Sequence, residues 1–214
     1  MNLSRYGEDG MRILFGDAID LEVHEEVRRF YYFIKSLQRQ DIIDIIPSFR
    51  SCLIHFDLRR TTYERLSSFI MEAEQQAPSG RLLPSPVTYE IPVHYGGEHG
   101  LDMAFVSSHT GLPEEAVISI HTGVLYIVFA VGFIPGFPYL GALDPRLHTP
   151  RLETPRVRIP EGSVGIAQLQ TGIYPFSSPA GWRIIGRTEM KLFNPQKGPY
   201  SLLQIGDRVK FTKA

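Results

Sequence analysis

One cysteine, Cys52, occurs in 214 residues. No internal disulfide can form, so the fold must rest on its core, and a reducing compartment is expected. Neither charge is in excess: 22 Lys and Arg stand against 23 Asp and Glu, a formal net charge of -1. No strong field draws such a chain to nucleic acid or to a lipid surface. No apolar run reaches the roughly 18 residues that a membrane-spanning helix needs. The opening MNLSRYGEDGMRILFGDAID holds no apolar core of signal-peptide length. A cytoplasmic chain with no membrane or nucleic-acid partner is the expectation.

Several catalytic signatures are missing too. His24-Glu25 is followed by Arg28 where a zinc protease needs its second histidine. Gly162-Ser163-Val164-Gly165 lacks the spacing of a nucleophile elbow. No G-x-x-x-x-G-K loop is present to cradle phosphates. His94 and His99 are five apart, which on a strand sets them on opposite faces, so no metal site is expected. Cys52, in CLIHF, reads as a small core residue.

What is present is a change of pattern along the chain. Met11–Phe15 reads as a strand, and Asp17 and Asp20 are placed to cap a helix. Val23, Val27, Phe30, Ile34 and Leu37 recur at helical spacing, with glutamates early and Lys35 and Arg39 late, matching the helix dipole. Residues 42–46 and 51–56 read as strands around Pro47. Thr61 and Glu64 form a capping box before a second amphipathic helix. APSGRLLPSP, Ala77–Pro86, then reads as a linker. Beyond it, residues 89–95 alternate as a half-buried strand. Pro113 takes the first position of a short helix through about His121, and YIVFAVGF (126–133) is a strand covered on both faces. Short β-rich runs follow at 163–167, 182–185, 202–205 and 208–211. Many short strands separated by turn residues predict a barrel or sandwich.

Half of the 16 prolines lie between Pro135 and Pro179. Pro145, Pro150 and Pro155 each precede an arginine, and a spacing of five alternates faces, so Arg146, Arg151 and Arg156 form no single stripe. Spacing alone favours solvated arginines on a stiff crossover. The sharper reading turns Arg156 inward to hold a carboxylate or phosphate. Gln170, Thr171 and Tyr174 lie near glycines, where a backbone can approach a ligand closely; the opposing reading makes Tyr174 and Trp182 barrel core and Gln170 a turn cap.

GFIPGFPYLGALDPRL, TPRVRIPEGSVGIA and QTGIYPFSSPAGWRIIGRT resemble the family of the 5-oxoprolinase B subunit, also known as KipI, whose domain is called allophanate hydrolase subunit 1 and recurs in urea carboxylases. The resemblance extends to IIDIIPSFRSCLIHFD and HYGGEHGLDMAFVSSHTGLPEEAVISIHTG. Two positions depart from it: Ala180 and Gln168 each replace a usual glycine. The resemblance implies an α+β chain, with a small N-terminal α/β domain over residues 1–84 and a cyclophilin-like β-barrel over 85–214. It also implies ATP-dependent opening of 5-oxoproline to glutamate together with the 5-oxoprolinase C (KipA-like) and A subunits, ATP being used at the level of that complex. The alternative is a KipI-like inhibitor that binds a histidine kinase. The stretch 132–151 then becomes a pocket wall, in which Phe133, Pro135, Gly136, Phe137 and Tyr139 work with a loop carrying Gln170, Thr171 and Tyr174. His121, Arg156 and Arg187 complete the candidate pocket. Catalytic residues are left unassigned, and no metal is expected.

Overall fold

A computed structural model describes residues 1–76 and 83–214, and the chain divides into two compact units, Met1–Ser85 and Pro86–Ala214. The linker expected at Ala77–Pro86 falls largely on residues outside those described.

The first unit contains strands β1 (Asn2–Tyr6) and β2 (Gly10–Leu14), helix α1 (Leu21–Ser36), strands β3 (Ile42–Pro47) and β4 (Ser51–Phe56), and helix α2 (Tyr63–Gln76). The strands form an antiparallel sheet in the order β1-β2-β4-β3. Helix α1 begins where Asp20 accepts a hydrogen bond from the Val23 N–H at 2.8 Å, satisfying one of the free donors of a helix start. It buries Val27, Phe30 and Ile34. On β4 the alternation buries Cys52, Ile54 and Phe56. Burial pushes the Cys52 thiol up, so the group stays neutral as a core residue. The cap of α2 falls one residue later than the pattern predicts: the Thr62 Oγ1 accepts from the Arg65 N–H at 3.4 Å, and Thr61 is buried.

The second unit contains β5 (Thr88–Tyr95), α3 (Met103–Thr110), α4 (Glu114–Gly123), β6 (Leu125–Val131), β7 (Pro138–Gly141), a 3-10 turn (Pro145–Leu147), β8 (Arg156–Ile159), β9 (Ser163–Ala167), β10 (Gln170–Ile173), β11 (Ser178–Ala180), β12 (Arg183–Arg187) and β13 (Arg208–Lys213). Seven of these strands close a barrel in the order β10-β7-β6-β13-β5-β12-β9, and β8 pairs with β11 outside it. Only the β13–β5 pair is parallel. The α+β organisation expected from the resemblance is observed, with an α/β unit and a closed barrel.

Several local expectations change. Pro113 is the N-cap of α4, with ψ at 152°, rather than its first helical residue. Residues 202–205 form no strand, because Leu202 N–H and Gly206 N–H bond to loop and bulge carbonyls of Leu192 and Val128. Residues 170–173 are a barrel strand and not a loop. His94 and His99 come together, rings 5.3 Å apart, because the chain turns back after Tyr95 through two left-handed glycines. Among the described residues no group of three or more metal-binding side chains occurs. No described helix is long and apolar enough to cross a membrane.

Period-two alternation gives the barrel wall two apolar faces. Leu140, Ile166, Ile173 and Ile185 point into the barrel core. Their immediate neighbours Tyr139, Ala167, Tyr174 and Ile184 belong instead to a second cluster with Phe137, Trp182, Ile159 and Ala180. The last two come from β8 and β11, so the small outer two-stranded sheet covers this outward face. One edge stays open.

Candidate functional site

That opening is a cleft of about 360 Å³ lined by Phe133, Phe137, Tyr139, Arg151, Leu152, Pro155, Tyr174, Pro179, Ala180, Gly181 and Trp182. Phe137 is its hub. Its ring centroid lies 4.9 Å from Tyr139, 4.9 Å from Tyr174, 5.5 Å from Trp182 and 5.8 Å from Phe133, each pair near edge-to-face. Rings in that arrangement place positive edges against negative faces and resist collapse into a flat stack. The backbone enforces the placement. Ile134 O accepts from Phe137 N–H at 3.1 Å, with Pro135 and left-handed Gly136 (φ 82°) between them, the residue order a type II turn requires. A Cβ on Gly136 would meet Phe193 Cβ at 2.9 Å, and one on Gly172 would meet Phe137 Cζ at 2.7 Å. A side chain at Gly172 would displace the hub ring, and one at Gly136 would displace Phe193.

Arg151 is the charged residue among the described lining. The peptide on each side of it is pinned: Leu152 N–H donates to Gly181 O at 2.9 Å, and Arg183 Nε donates to Pro150 O at 3.3 Å. Its guanidinium stands 5.9 Å from the Trp182 ring centroid, at the outer reach of a cation–π contact. Burial pushes the Tyr174 hydroxyl up to about 12, opposed by a hydrogen bond from the Trp182 backbone and by the positive charge of Arg151. Tyr139 is likewise raised by burial and pulled back by Arg151. Both phenols therefore stay protonated at neutral pH, and the cleft offers hydroxyls, ring faces and one cation.

Residues 1–203 match the family described as carboxyltransferase domain, subdomain C and D. The 5-oxoprolinase B subunit of Bacillus subtilis (strain 168) is 40% identical over 99% of this chain and 92% of its own. That of Escherichia coli O157:H7 is 42% identical over 80% of this chain and 78% of its own. The chain belongs to the 5-oxoprolinase B subunit family. The crystal structure of TTHA0988 superposes with a TM-score of 0.83 at 34% identity over 96% of this chain. This chain spans only 39% of the length of that protein.

In this family member the structure brings Phe133, Phe137, Tyr139 and Tyr174 together in the cleft. Pro135 and Gly136 shape the turn that carries Phe137, without lining it. The other five candidates lie elsewhere. His121 is fully buried in the barrel interior, stacked on Phe211 at 4.6 Å, with Tyr95 hydroxyl 2.8 Å from Nδ1 and Thr171 Oγ1 2.9 Å from Nε2. Thr171 Oγ1 donates onward to Gly165 O at 3.0 Å, so the two residues are a core tether. Gln170 begins β10 and does not line the cleft. Arg187 Nε donates to Glu161 O at 2.9 Å. Arg156 does turn inward onto a carboxylate, but one of the chain's own: it forks onto buried Asp102 at 2.7 and 2.9 Å. Arg151 and Trp182 were not among the sequence candidates for the pocket. Trp182 lies inside one of the motifs that carry the family resemblance and Arg151 between two of them, but only folding shows which of three Pro-Arg pairs faces the rings.

Proposed function

We propose that the chain is a non-autonomous component of an ATP-dependent 5-oxoprolinase, opening 5-oxoproline to glutamate together with the C and A subunits in the cytoplasm. The observation that carries this reading is the 40% identity to a 5-oxoprolinase B subunit over nearly the whole of both chains. The cleft supports it: its volume is at the small end of the about 300–1,000 Å³ usual for ligand pockets, which suits a five-membered ring. The same lining explains why the chain would not act alone. It includes no cysteine, serine, histidine, lysine or carboxylate to serve as nucleophile or base.

Net ring opening adds water across the lactam C–N bond while ATP is converted to ADP and phosphate. A lactam carbonyl is inert until its oxygen is phosphorylated, which is what ATP would supply. The helices of this chain do not fit the nucleotide. Glu22, Glu64, Glu114 and Glu115 occupy the first turns of α1, α2 and α4, so those positive helix starts already carry carboxylates. The nucleotide site is proposed to be shared with or supplied by the partner subunits, and no step on this chain is routed through it. The kinase-inhibitor alternative gains no support from these relatives.

The test is reconstitution with the C and A subunits, followed by assay of glutamate formed from 5-oxoproline and ATP. The complete mixture should turn over, and this chain alone should match a boiled control. Glutamate from the isolated chain, or a complete mixture that never makes any, would sink the reading.

A further inference from the structure

We infer that the aromatic cleft is a carboxylate-binding site for a small ring, in which Arg151 holds the carboxylate and Phe137, Tyr174 and Trp182 hold the ring. The inference rests on the proposed function for the identity of that ring, 5-oxoproline, and goes beyond it in assigning substrate recognition to this chain and to one cation.

Four observations converge on Arg151. It is the charged side chain among the described residues that line the cleft, so nothing there neutralises it. Among the described residues it makes no ion pair, whereas Arg146 is committed to Asp144 at 2.8 Å and Arg156 to Asp102 at 2.7 Å. Its backbone is fixed on both sides, through Pro150 O and Leu152 N–H, so the side chain projects from a set position. Its guanidinium stands 5.9 Å from the Trp182 ring centroid and the residue is exposed, so the planar fork is accessible to a ligand at the cleft mouth. A guanidinium fork matches a carboxylate in two parallel charge-assisted bonds, a geometry that an ammonium cannot reproduce. The cleft walls are ring edges and faces, which suit a flat five-membered ring and offer no second cation for a dianion. 5-Oxoproline carries one ring and one carboxylate.

Trp182 is the only tryptophan of the chain and sits in the cleft, so its fluorescence reports occupancy without any partner protein. The experiment titrates the full isolated chain with 5-oxoproline, with 2-pyrrolidinone (the same ring without the carboxylate) and with inorganic phosphate, by Trp182 emission and by calorimetry. Arg151→Gln and Arg151→Lys are titrated alongside. Saturable binding of 5-oxoproline, at least 10-fold tighter than of 2-pyrrolidinone, is expected. Arg151→Gln should remove that preference while binding 2-pyrrolidinone as the wild type does, and Arg151→Lys should restore part of it. No saturable signal, equal affinity for both rings, tighter binding of phosphate, or an unchanged Arg151→Gln overturns the inference. Failures remain distinguishable. A reconstituted complex in which Arg151→Gln turns over 5-oxoproline normally overturns the inference and leaves the function standing. Arg151-dependent binding to the isolated chain, with no turnover by any complex, upholds the carboxylate site and overturns the function.

Discussion

Arg146, Arg151 and Arg156 share the local sequence Pro-Arg and have three different fates. Arg146 folds back on Asp144 and holds that carboxyl down to about 2 through its side-chain hydrogen bonds. Arg156 is clasped by Asp102, and Arg151 faces the rings. Arg146 has its carboxylate two residues away, whereas Arg156 finds one 54 residues back and Arg151 none among the described residues, so the last two fates are set by what folding delivers. Two other residues show the same dependence through the backbone. Gln168 stands at φ 53° as the first of two residues joining β9 to β10. Only that residue of the pair is left-handed, the pattern of a type II′ hairpin turn, which favours glycine there. A left-handed conformation costs a non-glycine residue about 1–2 kcal/mol, and glycine's extra chain entropy returns about 0.5–1. Gln168→Gly should therefore stabilise by about 0.5–1 kcal/mol, seen as a rise of about 1–4 °C in melting temperature; an unchanged or lower value would show that no strain is stored there. Phe133 is also left-handed, at φ 71°, and 65% exposed on the cleft rim. Its truncation removes an edge-to-face partner of Phe137 but almost no core. Phe133→Ala should weaken 5-oxoproline binding about 2- to 10-fold, the worth of one rim contact to the bound ring at about 0.5–1.5 kcal/mol, and lower the melting temperature by no more than the loss of one exposed aromatic pair allows.

Elements long enough to show a period were legible: α1, β4, β5, β6, β9 and β13 all lie within a few residues of where periodicity sets them. The strands β7, β8, β10 and β11 have three or four residues each, with proline or glycine in three of them, too short for an alternation to emerge. Helix α3 escaped because only Met103 and Val106 of its residues are buried, although Gly111, left-handed at its C-cap, marks its end. What secures such weak elements is long-range. Asp102, at the start of α3, accepts from Arg156 on β8 and from the Ile184 N–H on β12 at 2.7 Å, and Arg183 Nη1 is 3.6 Å away. Asp102→Ala leaves two arginines without their carboxylate. It should cost about 2–3 kcal/mol in denaturant unfolding, less than the about 3–5 of a fully buried pair because Arg156 is 30% exposed. Asp102→Asn, which keeps an acceptor but not the charge, should cost less; equal effects would place the whole cost on the lost charge, and an Asn variant as stable as the wild type would deny the charge a role. The His121 tether on α4 has a pH signature. Burial lowers its imidazole to about 3 from an ordinary 6.5, so between those values the unfolded chain takes up a proton that the folded chain refuses. Stability from this group is complete above pH 6.5 and falls with acidification by about 1.4 kcal/mol per pH unit. His121→Gln should flatten the slope of unfolding free energy between pH 6.5 and 4.5, and a slope unchanged in that variant would assign it to other groups.

For the whole molecule, the outline of an α/β unit followed by a barrel could be read ahead of the structure, because the shift from helical to alternating periodicity is a property of long stretches. Periodicity alone left barrel and sandwich open and the family resemblance supplied the barrel, because closure depends on β9 and β10 meeting through a two-residue turn and on β13 returning parallel to β5. The cleft was half legible for the same reason. Its contiguous wall, Phe133 to Tyr139, announces itself by rings and turn residues in one segment. Arg151, Pro179 and Trp182 reach it only through the β8–β11 strand pair and the Leu152–Gly181 hydrogen bond. Every described lining residue nevertheless belongs to the compact unit Pro86–Ala214, whose core draws only on its own strands and helices. Its edge problem is solved by closure, leaving no open barrel strand that needs an outside partner. A fragment of residues 86–214 should then fold cooperatively on its own and bind 5-oxoproline within about 3-fold of the intact chain, a difference of under about 1 kcal/mol. Circular dichroism with thermal melting checks the fold, and Trp182 emission checks the cleft in the same sample. A fragment that melts cooperatively but binds more than 10-fold more weakly than the intact chain would mean that residues 1–85 contribute to recognition, and a fragment without a cooperative transition would mean that the barrel cannot stand without them.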